Sequence, residues 1–98
     1  MIEFLVHITV VRPDTVSDSE WAQLRTREAE RGRAYRDGGV IRRIWRLPGT
    51  TANVGIWAAK DPTELHEKLA ALPMFAHMTI GVAALADHYL DSPNLEES

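Results

Sequence analysis

Ninety-eight residues, 45% of them hydrophobic and without a low-complexity tract, fit one domain spanning residues 1–98, with a small core and apolar surface left for partner subunits to cover. The formal charge is -3 and the pI near 5.7, and Arg25, Arg27, Arg31, Arg33 and Arg36 are interleaved with Glu28 and Glu30, which predicts a salt-paired surface and no nucleic-acid partner. The absence of cysteine excludes thiol catalysis, disulfides and thiolate metal sites.

The opening "MIEFLVHITV" has neither a basic leader nor a long apolar run, so it reads as a strand, with no membrane segment and a cytoplasmic location as the default expectation. The strand is expected over 3–11, with Phe4, Val6, Ile8 and Val10 on one face and Leu5, His7, Thr9 and Val11 on the other. Pro13 ends it. "SDSE" at 17–20 supplies a helix N-cap, and a long helix is expected from near Ser17 to the Gly38-Gly39 stop. Trp21, Leu24, Glu28, Gly32 and Tyr35 follow three-and-four spacing along it, which places a carboxylate on the line that points at the core. "VIRRIWRL" at 40–47 and "TANVGIWAA" at 51–59 form a hairpin around "PGT". Asp61 and Pro62 open a short helix over 62–72, ended by Pro73, and "HMTIGVAAL" at 77–85 is the fourth strand. The chain from about residue 90, including "NLEES", is expected to be a loose tail.

The order βαββαβ is the ferredoxin-like α+β arrangement, an antiparallel sheet with two helices on one face. Its open face is expected to carry Leu5, Thr9, Gly55, Trp57 and Ala83, with few charges, and therefore to meet another copy of the chain in a homo-oligomer.

"IWRLPGTTANVGIW" followed by "ELHEKLAALPMFAHM" resembles the muconolactone isomerase family in Trp45-Arg46, Gly49, Ala52-Asn53, Leu65-His66, Leu72-Pro73, Phe75 and Met78, in one register from about Phe4 to His88. The resemblance implies a ferredoxin-like subunit in a dimeric α/β-barrel assembly, extended to a larger ring-like oligomer such as a decamer. It also implies catalysis without metal or organic cofactor. The implied reaction is a proton shift that moves the double bond of muconolactone, giving the enol-lactone of 3-oxoadipate in aromatic catabolism, the β-ketoadipate pathway. The chain departs from the family pattern at Leu5, His7, His77, Thr79 and Gly81, and of a family Arg-His-Pro only His88 carries over. Those departures point to an altered pocket lining and an altered substrate.

Glu28 carries over in register and is the first candidate for proton transfer. Burial would raise its pKa into the range of a general base, whereas a helix-flank position would leave it paired with Arg25 or Arg31. His7 is the other candidate base, or an anion contact, or an interface residue. Arg46 offers two-pronged binding of a carboxylate or enolate, or an intersubunit salt bridge. Trp45 and Trp57 would be flat walls or core. Asn53 would donate to a lactone carbonyl or close the hairpin turn. His66, beside Leu65 and Leu69, belongs to the family signature and is expected to be partly buried as a substrate contact or packing group. The four histidines lack the short spacing of a zinc motif, so no metal site is expected.

These features predict a cofactor-independent isomerase acting on a small, unsaturated, anionic lactone. Two rivals stand beside it. One is a polyketide-type cyclase or cofactor-free oxygenase with a wide pocket lined by Ile44, Trp45, Trp57 and Phe75, since fold does not fix chemistry. The other is a noncatalytic ligand-binding oligomer, in which no pocket group would have a shifted pKa.

Overall fold

The computed structural model describes residues 1–91. Strand β1 (Ile2–Val10) is followed by helix α1 (Asp18–Asp37), the hairpin β2 (Ile41–Arg46) and β3 (Asn53–Ala59), helix α2 (Pro62–Ala70), a 3₁₀ turn (Phe75–His77) and β4 (Met78–Leu85). The strands lie in the order β2-β3-β1-β4, and each neighbouring pair is antiparallel. The expected α+β architecture is therefore present. The "NLEES" segment lies outside the described residues.

Local chemistry sets the element ends. Ser17 caps α1 by accepting the Glu20 N–H at 3.2 Å, and Asp61 caps α2 by accepting the Glu64 N–H at 2.8 Å. Beyond α1, Gly39 takes a φ of +79°, a left-handed conformation open to glycine, and the chain turns into β2. α2 ends two residues earlier than expected, at Ala70, because the backbone tightens into turns there. The Leu72 N–H donates to Leu69 O at 3.0 Å and the Phe75 N–H to Leu72 O at 3.0 Å.

Residues paired across a ladder share a face. Phe4, Val6 and Ile8 are buried under the helices, and Phe4 pairs with Trp57, which is also buried, while Tyr35, Ile41, Leu65 and Leu69 complete the core. This register corrects one expectation. Trp57 and its neighbour but one, Gly55, lie on the helix-covered face, and the open face of β3 is formed by Val54, Ile56 and Ala58. The expected placement of Leu5, Thr9 and Ala83 on the open face holds, since Leu5 pairs with both Ile56 and Ala83. Both faces of β3 are apolar, so hydrophobic alternation alone could not fix its parity.

A shift in register between Ile41 and Arg43 puts Arg43 and Trp45 on the open face and Ile44 and Arg46 on the covered one. Gly55 is needed opposite this irregularity. A Cβ there would come within 2.7 Å of the Arg43 carbonyl oxygen.

Candidate active site

α1 runs back over the sheet. Near its start Trp21 lies 5.6 Å from the His77 ring, with the Arg12 guanidinium 5.8 Å from the Trp21 ring centre, and near its end Tyr35 meets Trp57 edge-on at 5.7 Å. The predicted line holds: Trp21, Leu24, Glu28 and Gly32 are half-buried and Tyr35 is buried. Between this line and the covered face of the sheet lies a cavity of about 620 Å³, within the range of small-molecule sites. Its floor includes Ile8, Val10, Ile44, Arg46, Asn53 and Trp57, its roof Trp21, Arg25, Glu28 and Gly32, and its side Leu72, Met74 and Met78, with Arg12 at one end.

Glu28 is held on the cavity wall. Its Oε1 accepts the backbone N–H of Met74 at 2.9 Å, so the turn after Pro73 fixes the carboxyl group from the side. The carboxylate was expected to be either a helix-flank group paired with Arg25 or Arg31, or a buried one. Its hydrogen-bond partner is a peptide amide. Burial pushes its pKa above the ordinary 4.5, against the smaller opposing pulls of the Met74 amide and the Arg31 charge. A raised carboxylate with one oxygen anchored, and Oε2 without a hydrogen bond among the described residues, is suited to taking a proton and handing it back.

Arg46 pairs with Asn53 in the ladder, so both reach the same end of the cavity. Its Nη1 donates to the carbonyl oxygens of Thr51, at 2.8 Å, and Ala52, at 3.4 Å, which steadies the guanidinium while leaving other donors unused. Asn53 does not close the turn. Thr50 does so, donating from Oγ1 to Leu47 O at 2.8 Å and accepting the Ala52 N–H at 3.0 Å. Among the described residues, neither the buried Asn53 Oδ1 nor the buried Trp57 Nε1 has a hydrogen-bond partner.

The remaining candidates lie elsewhere. His7 is exposed and pairs with Val54 and Gly81 on the open face, so the sheet separates it from Glu28. Trp45 is also on that face, 44% exposed, with the Arg43 guanidinium 4.9 Å from its ring centre. His66 is exposed rather than partly buried, because Leu65 and Leu69 alone take the inner face of α2, and its ring meets Phe75 edge-on at 6.3 Å. Of the wide pocket expected from Ile44, Trp45, Trp57 and Phe75, only Ile44 and Trp57 line the cavity.

Sequence reasoning passed over Arg12 and Arg25 as site residues. Arg25 precedes Glu28 by three positions, a spacing that puts both on one helix face. Arg12 lies just past β1 and pairs with Asp18. With Arg46 they give the lining three guanidinium groups against one carboxylate, a balance that favours an anionic ligand. No group of three or more His, Asp or Glu side chains among the described residues is close enough to hold a metal ion.

The departures Leu5, His7, Thr79 and Gly81 share the open face, through the pairs Leu5–Ala83, His7–Gly81 and Thr9–Thr79. They do not line the cavity, so the expected change in pocket lining is not carried by them. The cavity keeps Glu28, Arg46 and Asn53.

The profile of the family described as Muconolactone delta-isomerase matches residues 2–91. Muconolactone Delta-isomerase 2 of Acinetobacter lwoffii is 33% identical over 85 residues, 87% of this chain and 88% of that protein. Muconolactone Delta-isomerase 1 of the same organism is 34% identical over the same shares. The crystal structure of a muconolactone isomerase superposes with a TM-score of 0.82 at 30% identity, covering 98% of this chain and 96% of that one. On the profile, the relatives and the shared fold, this chain belongs to the muconolactone delta-isomerase family.

Proposed function

We propose that the protein is a cofactor-independent isomerase that shifts a proton within muconolactone or a close butenolide, with Glu28 as the base. The observation that carries this reading is the Glu28 carboxyl group, raised in pKa by burial, anchored by Met74 and facing a cavity lined by Arg12, Arg25 and Arg46. Arg46 binds the carboxymethyl arm at one end. Glu28 removes the proton from the ring carbon that bears the arm, and the released electron pair forms a conjugated dienolate whose charge rests on the lactone carbonyl oxygen. The same carboxyl group returns the proton to the carbon next to the carbonyl, which completes the double-bond shift with no net oxidation. One residue thus serves as acid and base.

His7, Trp45 and His66 have no place at this centre within one subunit. The exposure of His7 and Trp45, with that of Leu5, supports a role where copies of the chain meet, through the open face, in a dimeric barrel or larger ring. Among the described residues, no helix is long and apolar enough to cross a membrane.

Muconolactone incubated with the protein in deuterated buffer tests the reading. The expected result is loss of the conjugated lactone absorbance, with deuterium at the carbon next to the carbonyl only in those turnovers in which the Glu28 proton exchanges with solvent before it is returned. A folded protein that leaves muconolactone unchanged would reject it as substrate.

A further inference from the structure

Gly32 stands in the interior of α1, where glycine is the least favourable residue short of proline. Gly39 is required by its positive φ and Gly55 by the Arg43 carbonyl opposite it, but neither reason applies to Gly32. Its φ is not positive, and an added Cβ would meet nothing within 4 Å. The residue belongs to the inward line of the helix and lines the cavity, so the open space beside it is cavity space. It lies one turn past Glu28, about 6 Å along the helix axis.

The cavity changes character along its length. β2 runs from Ile41 to Arg46 and β3 returns from Asn53, so Arg46 lies at one end and Ile41, paired with Trp57, at the other. Arg12 shares the Arg46 end: Thr51, whose carbonyl oxygen accepts from Arg46, donates from Oγ1 to the carbonyl oxygen of Val10 at 3.2 Å. At the end of α1, Tyr35 meets Trp57, which places Gly32 on the Ile41 side of Glu28. A ligand is thus met by guanidinium groups at one end, by a carboxyl group in the middle and by unfilled space beside apolar side chains beyond it. The cavity of about 620 Å³ is of a size that holds drug-sized ligands, whereas muconolactone has only about ten non-hydrogen atoms.

We propose that Gly32 determines substrate specificity by admitting an alkyl group on the ring carbon next to the lactone carbonyl, so that the substrate class extends to alkyl-substituted butenolide acetates. The proposal rests on the isomerase reading above and sharpens its substrate. With the carboxymethyl arm at Arg46 and the arm-bearing carbon under Glu28, the opposite side of the five-membered ring points toward Gly32. That side holds the carbonyl and the carbon next to it. An alkyl group there leaves the reaction balanced: the C–H bond at the arm-bearing carbon breaks, Glu28 holds the proton, and a C–H bond forms at the substituted carbon as the double bond shifts. A side chain at position 32 would occupy the volume that the alkyl group needs.

The test uses the full-length protein with two substrates, muconolactone and its analogue carrying an ethyl group on the ring carbon next to the carbonyl. The quantity read is the ratio of kcat/KM for the ethyl compound to kcat/KM for muconolactone. Wild type should convert both. Gly32→Ala should lower the ratio by about 10-fold and Gly32→Leu further, the effect of one methylene-sized change in a fitted pocket. Gly32→Ala should also melt at or above the wild-type temperature, because alanine favours the helix and the space is open. A ratio within about twofold of wild type in both variants overturns the proposal. So does Gly32→Ala melting well below wild type, or a wild type that converts muconolactone but not the ethyl compound. Each of these leaves the isomerase reading standing. A folded wild type that converts neither compound overturns both.

Discussion

The two faces of the sheet are built from alternating residues of the same strands, but they have different chemistry. The covered face and α1 enclose a cavity with a perturbed carboxylate and three guanidinium groups. The open face carries the histidine and tryptophan that attract attention in the sequence, His7 and Trp45, both exposed. Residue type alone would divide the catalytic work between the two faces. In the proposed mechanism it falls to the covered face alone, because a proton-transfer group needs a desolvated environment and a fixed orientation.

The largest effect that would break this contrast lies at Glu28. Glu28→Gln should keep the fold, since the amide oxygen can still accept the Met74 N–H, and should lower kcat on muconolactone by about 10³-fold. Circular dichroism and steady-state absorbance check both halves. Arg46→Met should come next, raising KM roughly 10- to 100-fold by removing a charge-assisted contact with the carboxylate arm, with less change in kcat. Substrate-saturation curves separate the two constants.

Gly55→Ala sharpens the contrast from the side of stability. Its Cβ meets the Arg43 carbonyl oxygen at 2.7 Å, which is backbone and cannot swing away, so urea unfolding should show a loss of about 1–3 kcal/mol. The pH dependence of stability gives a smaller effect with a definite sign. Because burial raises the Glu28 pKa in the folded state, the fold favours the protonated form. That stabilisation is complete below the ordinary 4.5 and is lost as pH rises through the folded value. Glu28→Gln should therefore melt at or slightly above the wild-type temperature at pH 8, and the advantage should disappear near pH 4. The smallest effect belongs to the open face: His7→Ala should change kcat/KM less than about twofold, because the sheet lies between it and the cavity.

Much of this architecture was legible in the sequence for local reasons. Helix caps at Ser17 and Asp61 are set by side chains within one turn, and the spacing of Trp21, Leu24, Glu28, Gly32 and Tyr35 is a property of the helix alone. Glu28 and Arg46 reach one cavity as the motif residues suggest. What escaped depends on pairing between distant segments. The parity of β3 is set by register with β1, and two apolar faces leave no local signal that Trp57 lies beneath the helices. The Met74 amide that anchors Glu28 is a backbone group 46 positions away, without a sequence signature. One point was available but unused. Trp45 and Arg46 are consecutive in a strand, so they point to opposite faces and cannot both line one cavity.

The most direct test of the account is the pH dependence of kcat/KM on muconolactone, measured for wild type and for Glu28→Gln and His7→Ala. The account predicts that wild type and His7→Ala lose activity together on acidification, through a single ionisation above 4.5, and that Glu28→Gln is slow throughout. Folded Glu28→Gln with wild-type kcat/KM, or an acid limb that vanishes in His7→Ala, would contradict it.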